Sequence, residues 1–228
     1  MIKSFRGFAL ATLSVVILSA CGVKDNNQAA NTNGISIIAG SEIQNIEPLI
    51  KKASKDLGFP ISLKYSGTIE GVEAVKTSNT YDIAWFGNSK YFYDTPESAK
   101  KIKLSEKIML SPVIVGVKPE AFSKNGLSEK QNYSWADIAS WVQNKNMTYG
   151  MSDPSLSNSG YVALMGVIYS TTNKGENINV ADVKKETLQK FFAGQKVTGK
   201  SSNWVMEQFN NSPIDFVINY ESVILSNP

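Results

Sequence analysis

Residues 35–68, ISIIAGSEIQNIEPLIKKASKDLGFPISLKYSGT, decide the fold. Ile35 to Ala39 is a short apolar run suited to a buried strand, and Gly40-Ser41 turns the chain out of it. Ile46, Leu49, Ile50, Ala53 and Leu57 then recur at helical spacing. Pro48 is tolerated because it falls in the first turn, where a backbone N–H has no partner to lose. Gly58 and Pro60 stop that helix, and Ile61 to Tyr65 alternates as a second strand. Ser66-Gly67-Thr68 leads a further helix through Ile69, Val72, Val75 and Lys76. Tyr81 to Phe86 (YDIAWF) supplies a third strand, ending at Gly87-Asn88-Ser89 before another helix. This repetition predicts an α/β fold with a parallel sheet, its ligand loops at the carboxyl ends of the strands.

Downstream, Ile108 to Val117 (IMLSPVIVGV) reads as a connecting strand that leaves this first lobe and enters a second. The second lobe is expected to hold helices over 135–142, 159–170, 183–192 and 203–209, with a strand at 147–151. Asp215 to Ile218 (DFVI) reads as a strand heading back toward the first lobe. The expected organisation is therefore lobe I at 35–112, lobe II at 113–217 and a return crossover at 218–228. On that reading lobe I still lacks the segment that should complete it. The fold is either a minimal variant or part of a longer protein, and the second is preferred.

Upstream, Lys3 and Arg6 precede an apolar run from Gly7 to Leu18, too short to span a bilayer as a helix. Residues 1–20 read as a secretory leader, closed by Leu18-Ser19-Ala20-Cys21. That tetrapeptide resembles the bacterial lipobox, which implies lipidation of Cys21 and an extracytoplasmic, membrane-anchored protein. Residues 21–34 (CGVKDNNQAANTNG), polar and without periodicity, read as a flexible tether.

The chain carries 23 basic and 20 acidic residues; without Lys3 and Arg6 the balance is 21 to 20. Near-neutrality and the lack of a basic stripe leave no footprint for nucleic acid. Cys21 is the only cysteine, so the domain is expected to be held by its core and not by a disulfide. Histidine is absent, which excludes Ser-His-Asp and Cys-His catalysis and the usual imidazole metal sites. No G-x-S-x-G elbow or phosphate-binding glycine loop appears either. No enzymatic activity, cofactor or metal is expected.

Hydroxyl and amide side chains gather at predicted helix starts: Ser41, Ser66, Thr68, Asn88 and Ser89 in lobe I, Asn158, Ser159, Ser202 and Asn203 in lobe II. Helix N-termini offer unpaired N–H groups and a partial positive charge, which suits a small polar or anionic ligand. Each of these residues, taken singly, is also an ordinary N-cap.

Three segments, Tyr149 to Gly160 (YGMSDPSLSNSG), Phe191 to Trp204 (FFAGQKVTGKSSNW) and Asn219 to Leu225 (NYESVIL), resemble type II periplasmic solute-binding proteins of the molybdate- and sulfate-binding kind. They are similar to a subgroup in which such a region precedes a von Willebrand factor A domain. The resemblance implies two lobes closing on a small solute for delivery to an ABC-type permease. It also implies that Ser41, Ser66 or Thr68, Ser159 and Tyr220 occupy oxyanion-binding places. Glu221 departs from that pattern, because a carboxylate there would repel a dianion.

Several features invite other readings. Asp153-Pro154-Ser155-Leu156-Ser157 fits the D-x-S-x-S metal pattern of A domains, but the stretch before it is weakly apolar and no later ligand loop follows, so it reads as a chance match in which Asp153 organises the turn before the Ser159 helix. Trp204 is kept as a cleft candidate, while the other aromatics read as core and the paired lysines as solvated helix faces. A surface-interaction lipoprotein that works with an A-type domain is the second functional reading. A hydrolase built on Ser98 and Lys101 is a third, resting on spacing alone.

Overall fold

The computed structural model describes residues 34–129, 131–172, 174 and 177–227. The leader, Cys21 and the tether read from the sequence lie outside the described residues.

The first sheet holds β1 (Ile35–Gly40), β2 (Ile61–Ser66) and β3 (Ile83–Trp85), all parallel, in the order β2-β1-β3. β1 is central, so Ile37, Ile38 and Ala39 are all buried instead of alternating. β2 lies at an edge: Ile61, Leu63 and Tyr65 pack on the core while Ser62 and Lys64 are exposed. A 3₁₀ turn, Ser41–Ile46, precedes α1 (Glu47–Leu57), with Pro48 in its first turn. Ile46 and Ile50 reach the sheet, whereas Leu49 and Leu57 are 66% and 73% exposed, so the apolar stripe is narrower than its spacing suggested. Gly58 ends α1 in the left-handed conformation (φ 62°), and the Phe59 N–H returns to the Ser54 carbonyl at 3.1 Å.

β3 is shorter than predicted, and a 3₁₀ turn (Lys90–Tyr93) and the short α3 (Pro96–Ala99) stand where one helix was expected. Lys101 is not on a solvated face. Its ammonium donates to the Val75 and Ser78 carbonyls, at 2.7 and 2.8 Å, and so caps the C-terminal end of α2 (Thr68–Thr77), where a cation is favoured.

The second sheet holds β4 (Val113–Val117), β5 (Tyr149–Ser152), β6 (Gln195–Gly199) and β7 (Phe216–Tyr220), in the order β4-β7-β5-β6. Only the β4–β7 pair is antiparallel. Helices α4 (Pro119–Lys124), α5 (Trp135–Lys145), α6 (Asn158–Thr172), α7 (Lys185–Ala193), α8 (Ser202–Asn211) and α9 (Glu221–Leu225) surround it. On one face Tyr149 is stacked between Phe191 and Phe216, both ring centroids 4.9 Å away, with Trp141 edge-on to Phe216. On the other, Val205, Met206 and Phe209 of α8 and Val223 of α9 cover Val217. A capping box of Ser134 and Asp137 starts α5.

Strand pairing begins at Val113; Ile108, Met109 and Leu110 are exposed and lie outside any ladder. β6 has no counterpart in the sequence reading, since QKVTG carries one large apolar residue. β7 runs through Tyr220 inside the second sheet, held on both sides by β4 and β5, and α9 follows where a return crossover was expected. α9 packs on β4, on β7 and on the 3₁₀ turn of the first lobe. Among the described residues, no helix is long and apolar enough to cross a membrane.

Candidate inter-lobe binding site

Parallel strands deliver their following loops to one edge of a sheet, and here the two edges face each other. Gly40 is level with Ser66, and Ser152 with Gly199, so these strands end together. The loops that follow meet at a hollow lined by Ser41, Glu42, Ser66 and Thr68 from one lobe and by Ser157, Lys200, Ser202 and Tyr220 from the other. It holds about 10 Å³, space for a single water. A larger concavity of about 470 Å³ lies against Asn144 and Gly194, at the C-terminal ends of α5 and α7. We place the site at the smaller hollow because helix N-termini and buried hydroxyls converge there, while the larger one faces solvent beside helix carbonyls.

The geometry separates capping from other duties. Ser201 caps α8, accepting from the Trp204 N–H at 3.3 Å, which leaves the buried Ser202 hydroxyl unspent. Gly67 stands at the N-cap of α2, so Thr68 caps nothing there. Ser159 is 1% exposed, and its hydroxyl lies 3.1 Å from those of Ser157 and Ser202 and 3.2 Å from that of Ser152. Gly160 makes this cluster feasible: a Cβ there would stand 2.2 Å from the Ser152 carbonyl oxygen. Ser66 turns its hydroxyl to the Gly67 carbonyl.

Contacts across the lobes are few and mostly long. The Asn203 side-chain amide donates to the Ser41 carbonyl at 2.8 Å and to Gln44 Oε1 at 2.6 Å. The helix-start N–H groups fare worse: Ile69 to the Leu156 carbonyl at 3.5 Å, Asn158 to Thr68 Oγ1 at 3.4 Å, Asn203 to Ser41 Oγ at 3.5 Å. These lie at the weak limit for N–H···O bonds. Lys200 pairs with Glu70 at 3.1 Å, both side chains more than half exposed. Gly87 backs onto the second lobe, where a Cβ would meet Tyr220 Oη at 2.5 Å and Asn158 Nδ2 at 3.0 Å.

Tyr220 is 4% exposed and accepts from Asn158 Nδ2 at 2.8 Å. Burial raises its phenol pKa, and the nearby Glu42 charge raises it further. Glu42 is the residue that sequence reasoning missed. It stands two residues past β1, and its carboxylate folds back over Gly40, whose Cβ would lie 2.3 Å from either oxygen. Burial holds its pKa above the usual carboxylate range, its own backbone N–H pulling the other way. Among the described residues no lysine pairs with it. The buried Oδ1 atoms of Asn158 and Asn203 have no partner.

The remaining sequence candidates lie elsewhere. Asn88 folds its Oδ1 back onto the Lys90 N–H at 2.9 Å and Ser89 is exposed, because the backbone of Gly87 takes the place beside Tyr220. Glu221 starts α9 with its N–H on the Pro112 carbonyl at 2.8 Å and does not line the hollow. Antiparallel pairing of Tyr220 with Val113 carries the chain to that side. Trp204, 43% exposed, lies over Gly199 and not in the hollow. Asp153 closes its own turn through the N–H and hydroxyl of Ser155, at 2.8 and 2.6 Å. Ser98 is fully buried and bonded to Thr95 while Lys101 caps α2, so the two form no catalytic pair.

No family model matches the chain, and no curated protein does. Solved structures do. The sulfate-binding protein of Mycobacterium tuberculosis H37Rv superposes with TM-score 0.60 at 14% identity, over 83% of this chain and 65% of that one. The periplasmic molybdate-binding protein of Azotobacter vinelandii gives 0.53 at 13%, over 82% and 71%. A periplasmic binding protein of Actinobacillus pleuropneumoniae, solved with fructose-6-phosphate, gives 0.52 at 16%, over 86% and 66%. The fold is thus the two-sheet α/β fold of type II periplasmic binding proteins, and the chain spans about two thirds of the length of these structures.

Proposed function

We propose that this protein is an extracytoplasmic solute-binding lipoprotein that captures a small polar or anionic ligand between its lobes and passes it to an ABC-type importer. One observation carries the reading. The N-termini of α2, α6 and α8, from both lobes, meet at one buried hydroxyl cluster, and one N–H of each, that of Ile69, Asn158 and Asn203, is held only by a contact of 3.4–3.5 Å. Donors so weakly satisfied gain by taking a ligand oxygen, and an anion at several helix N-termini needs no opposing lysine. Chemistry is not required of such a site. Lipidation at Cys21 would hold the domain at a membrane surface, with residues 22–34 as spacer. Binding proteins that share the fold bind sulfate, molybdate, a sugar phosphate or thiamin, which supports capture of a small polar solute without naming it.

Thermal unfolding of the purified protein across oxyanions, phosphonates and small acids tests this. A ligand at 100 times its Kd stabilises by about 2.7 kcal/mol, readily seen as a rise in Tm. If no member of the panel raises Tm, the capture reading fails.

One observation favours the second reading, an interaction lipoprotein that keeps the fold and works with an A-type partner. The hollow is small, and Asn203, Thr68 and the Lys200–Glu70 pair bridge the lobes directly. A free protein whose lobes stay shut under every ligand condition in small-angle scattering would support that reading.

A further inference from the structure

Resting on the capture reading, we propose that Glu42 sets the ligand class: the cleft takes small anionic ligands that bring a hydrogen-bond donor of their own, and turns away fully deprotonated oxyanions. The hollow is supplied with donors from backbone N–H groups, which suits an anionic oxygen. It also carries acceptors with nothing to accept. The Glu42 carboxylate lines it without an ion-pair partner among the described residues, and behind the lining residue Tyr220, Asn158 Oδ1, on a side chain 3% exposed and bonded through Nδ2 to that phenol, has no donor among them. Sulfate or molybdate would leave those acceptors unsatisfied and add its charge to that of Glu42. A buried polar atom without a partner costs about 1–3 kcal/mol, and like charges in a dry site cost more. A hydroxyl on a phosphate satisfies an empty acceptor, and an ammonium on a small phosphonate does that and also offsets the charge of Glu42.

The charged and titratable groups around Glu42 do not offset it. From β7 comes the Tyr220 hydroxyl, engaged by Asn158, and from the loop after β6 comes Lys200, which pairs with Glu70 of α2. Arginine cannot serve, because the only one in the chain is Arg6.

Isothermal titration at neutral pH with matched probes decides the matter: phosphate against sulfate for the oxygen donor, 2-aminoethylphosphonate against ethylphosphonate for the ammonium. In at least one pair the donor-bearing member is expected to bind at least tenfold more tightly. Glu42→Gln, which offers a donor and no charge, should shrink that ratio by about tenfold. Glu42→Ala should weaken the donor-bearing probe without adding a donor, and near-native circular dichroism shows that each variant is folded. Preference for the amine pair or for phosphate tells the two donor sources apart. If sulfate or ethylphosphonate equals its partner, or the ratio survives Glu42→Gln, the inference falls while ligand capture stands. If none of the four probes binds the native protein or Glu42→Gln, the inference falls, and the thermal panel decides separately whether ligand capture falls with it.

Discussion

Gly87→Ala tests whether the two lobes meet as described. The glycine is exposed and its backbone is not in the left-handed region, so alanine costs little where it stands. Its added methyl would lie 2.5 Å from Tyr220 Oη, against about 3.3 Å for an ordinary close C···O contact. Something must move by nearly 1 Å. Tyr220 is anchored among Val205, Val217 and Val223, and moving it breaks its bond to Asn158, whose Oδ1 already lacks a partner. The alternative is that the loop after β3 backs away and takes the first lobe with it. Either route raises the closed arrangement by about 1–3 kcal/mol, the cost of one orphaned buried polar group, or roughly 5- to 150-fold in its population. The cysteine-free domain makes the assay direct: spin labels at Lys51→Cys and Glu186→Cys in a Cys21→Ser background report the inter-lobe distance by pulsed electron resonance. Gly87→Ala should lengthen or broaden that distance while leaving Tm within a degree or two. An unchanged distance refutes the contact. A Tm loss as large as that of a core truncation shows that Gly87 serves stability and not closure.

Other substitutions separate core from site. Gly160→Ala should destabilise by about 1–3 kcal/mol, since the obstructing atoms are the Ser152 and Asp153 backbone and cannot swing aside; urea unfolding measures it. Phe216→Ala removes the ring stacked on Tyr149 and edge-on to Trp141 and should cost about 3–5 kcal/mol, also read from urea midpoints. Because burial raises the Glu42 pKa, the folded state binds more protons than the unfolded one just above the ordinary carboxylate range. Stability from this group should therefore fall as pH rises through that window, and the native protein minus Glu42→Gln should show the slope in thermal melts at several pH values. The lowered carboxylates Glu47, Asp137, Asp182 and Glu186 act at lower pH with the opposite sign and cancel in that difference. Cys21→Ser should release the protein from the membrane fraction and abolish palmitate labelling.

Much of the α/β frame was legible because period and punctuation agree along residues 35–68: apolar strands, a helix stop at Gly58-Phe59-Pro60, and a turn at Ser66-Gly67. The two sheets, and loops from both at one hollow, follow from parallel pairing. β6 was illegible because pairing with its one neighbour β5, not its own side chains, holds QKVTG extended. The path after Tyr220 was misread because DFVI looks like any buried strand, and only pairing with Val113 shows which sheet it joins. Among candidate residues, Ser41, Ser66, Thr68, Asn158, Ser159, Ser202, Asn203 and Tyr220 come together around the contact between lobes. Asn88, Ser89 and Glu221 do not, and the carboxylate that lines the hollow is Glu42. Its position two residues past β1 was the available signal, passed over because an acidic residue in a first helical turn is ordinary.

The energetics of closure tie the site to its use. Three short or moderate polar contacts, Asn203 to Ser41, Asn203 to Gln44 and Lys200 to Glu70, carry most of the direct bridging. At about 1 kcal/mol for each neutral bond and less than that for an exposed ion pair, these polar contacts contribute a few kcal/mol at most, beside the edge-on Tyr91–Tyr161 ring contact between the lobes. The long N–H contacts add little, because each is near the limit of useful geometry. On the capture reading, a ligand that replaces three contacts of 3.4–3.5 Å with bonds near 2.9 Å would shift the balance by its preference for the closed form alone. Truncating the latch should therefore act on the lobes and not on the core. Asn203→Ala is expected to widen the inter-lobe distance by the same label pair and leave the urea midpoint of the second lobe nearly fixed. A fall in that midpoint comparable to Phe216→Ala would show that Asn203 braces α8 instead, and the picture of two lobes poised to open would have to be given up.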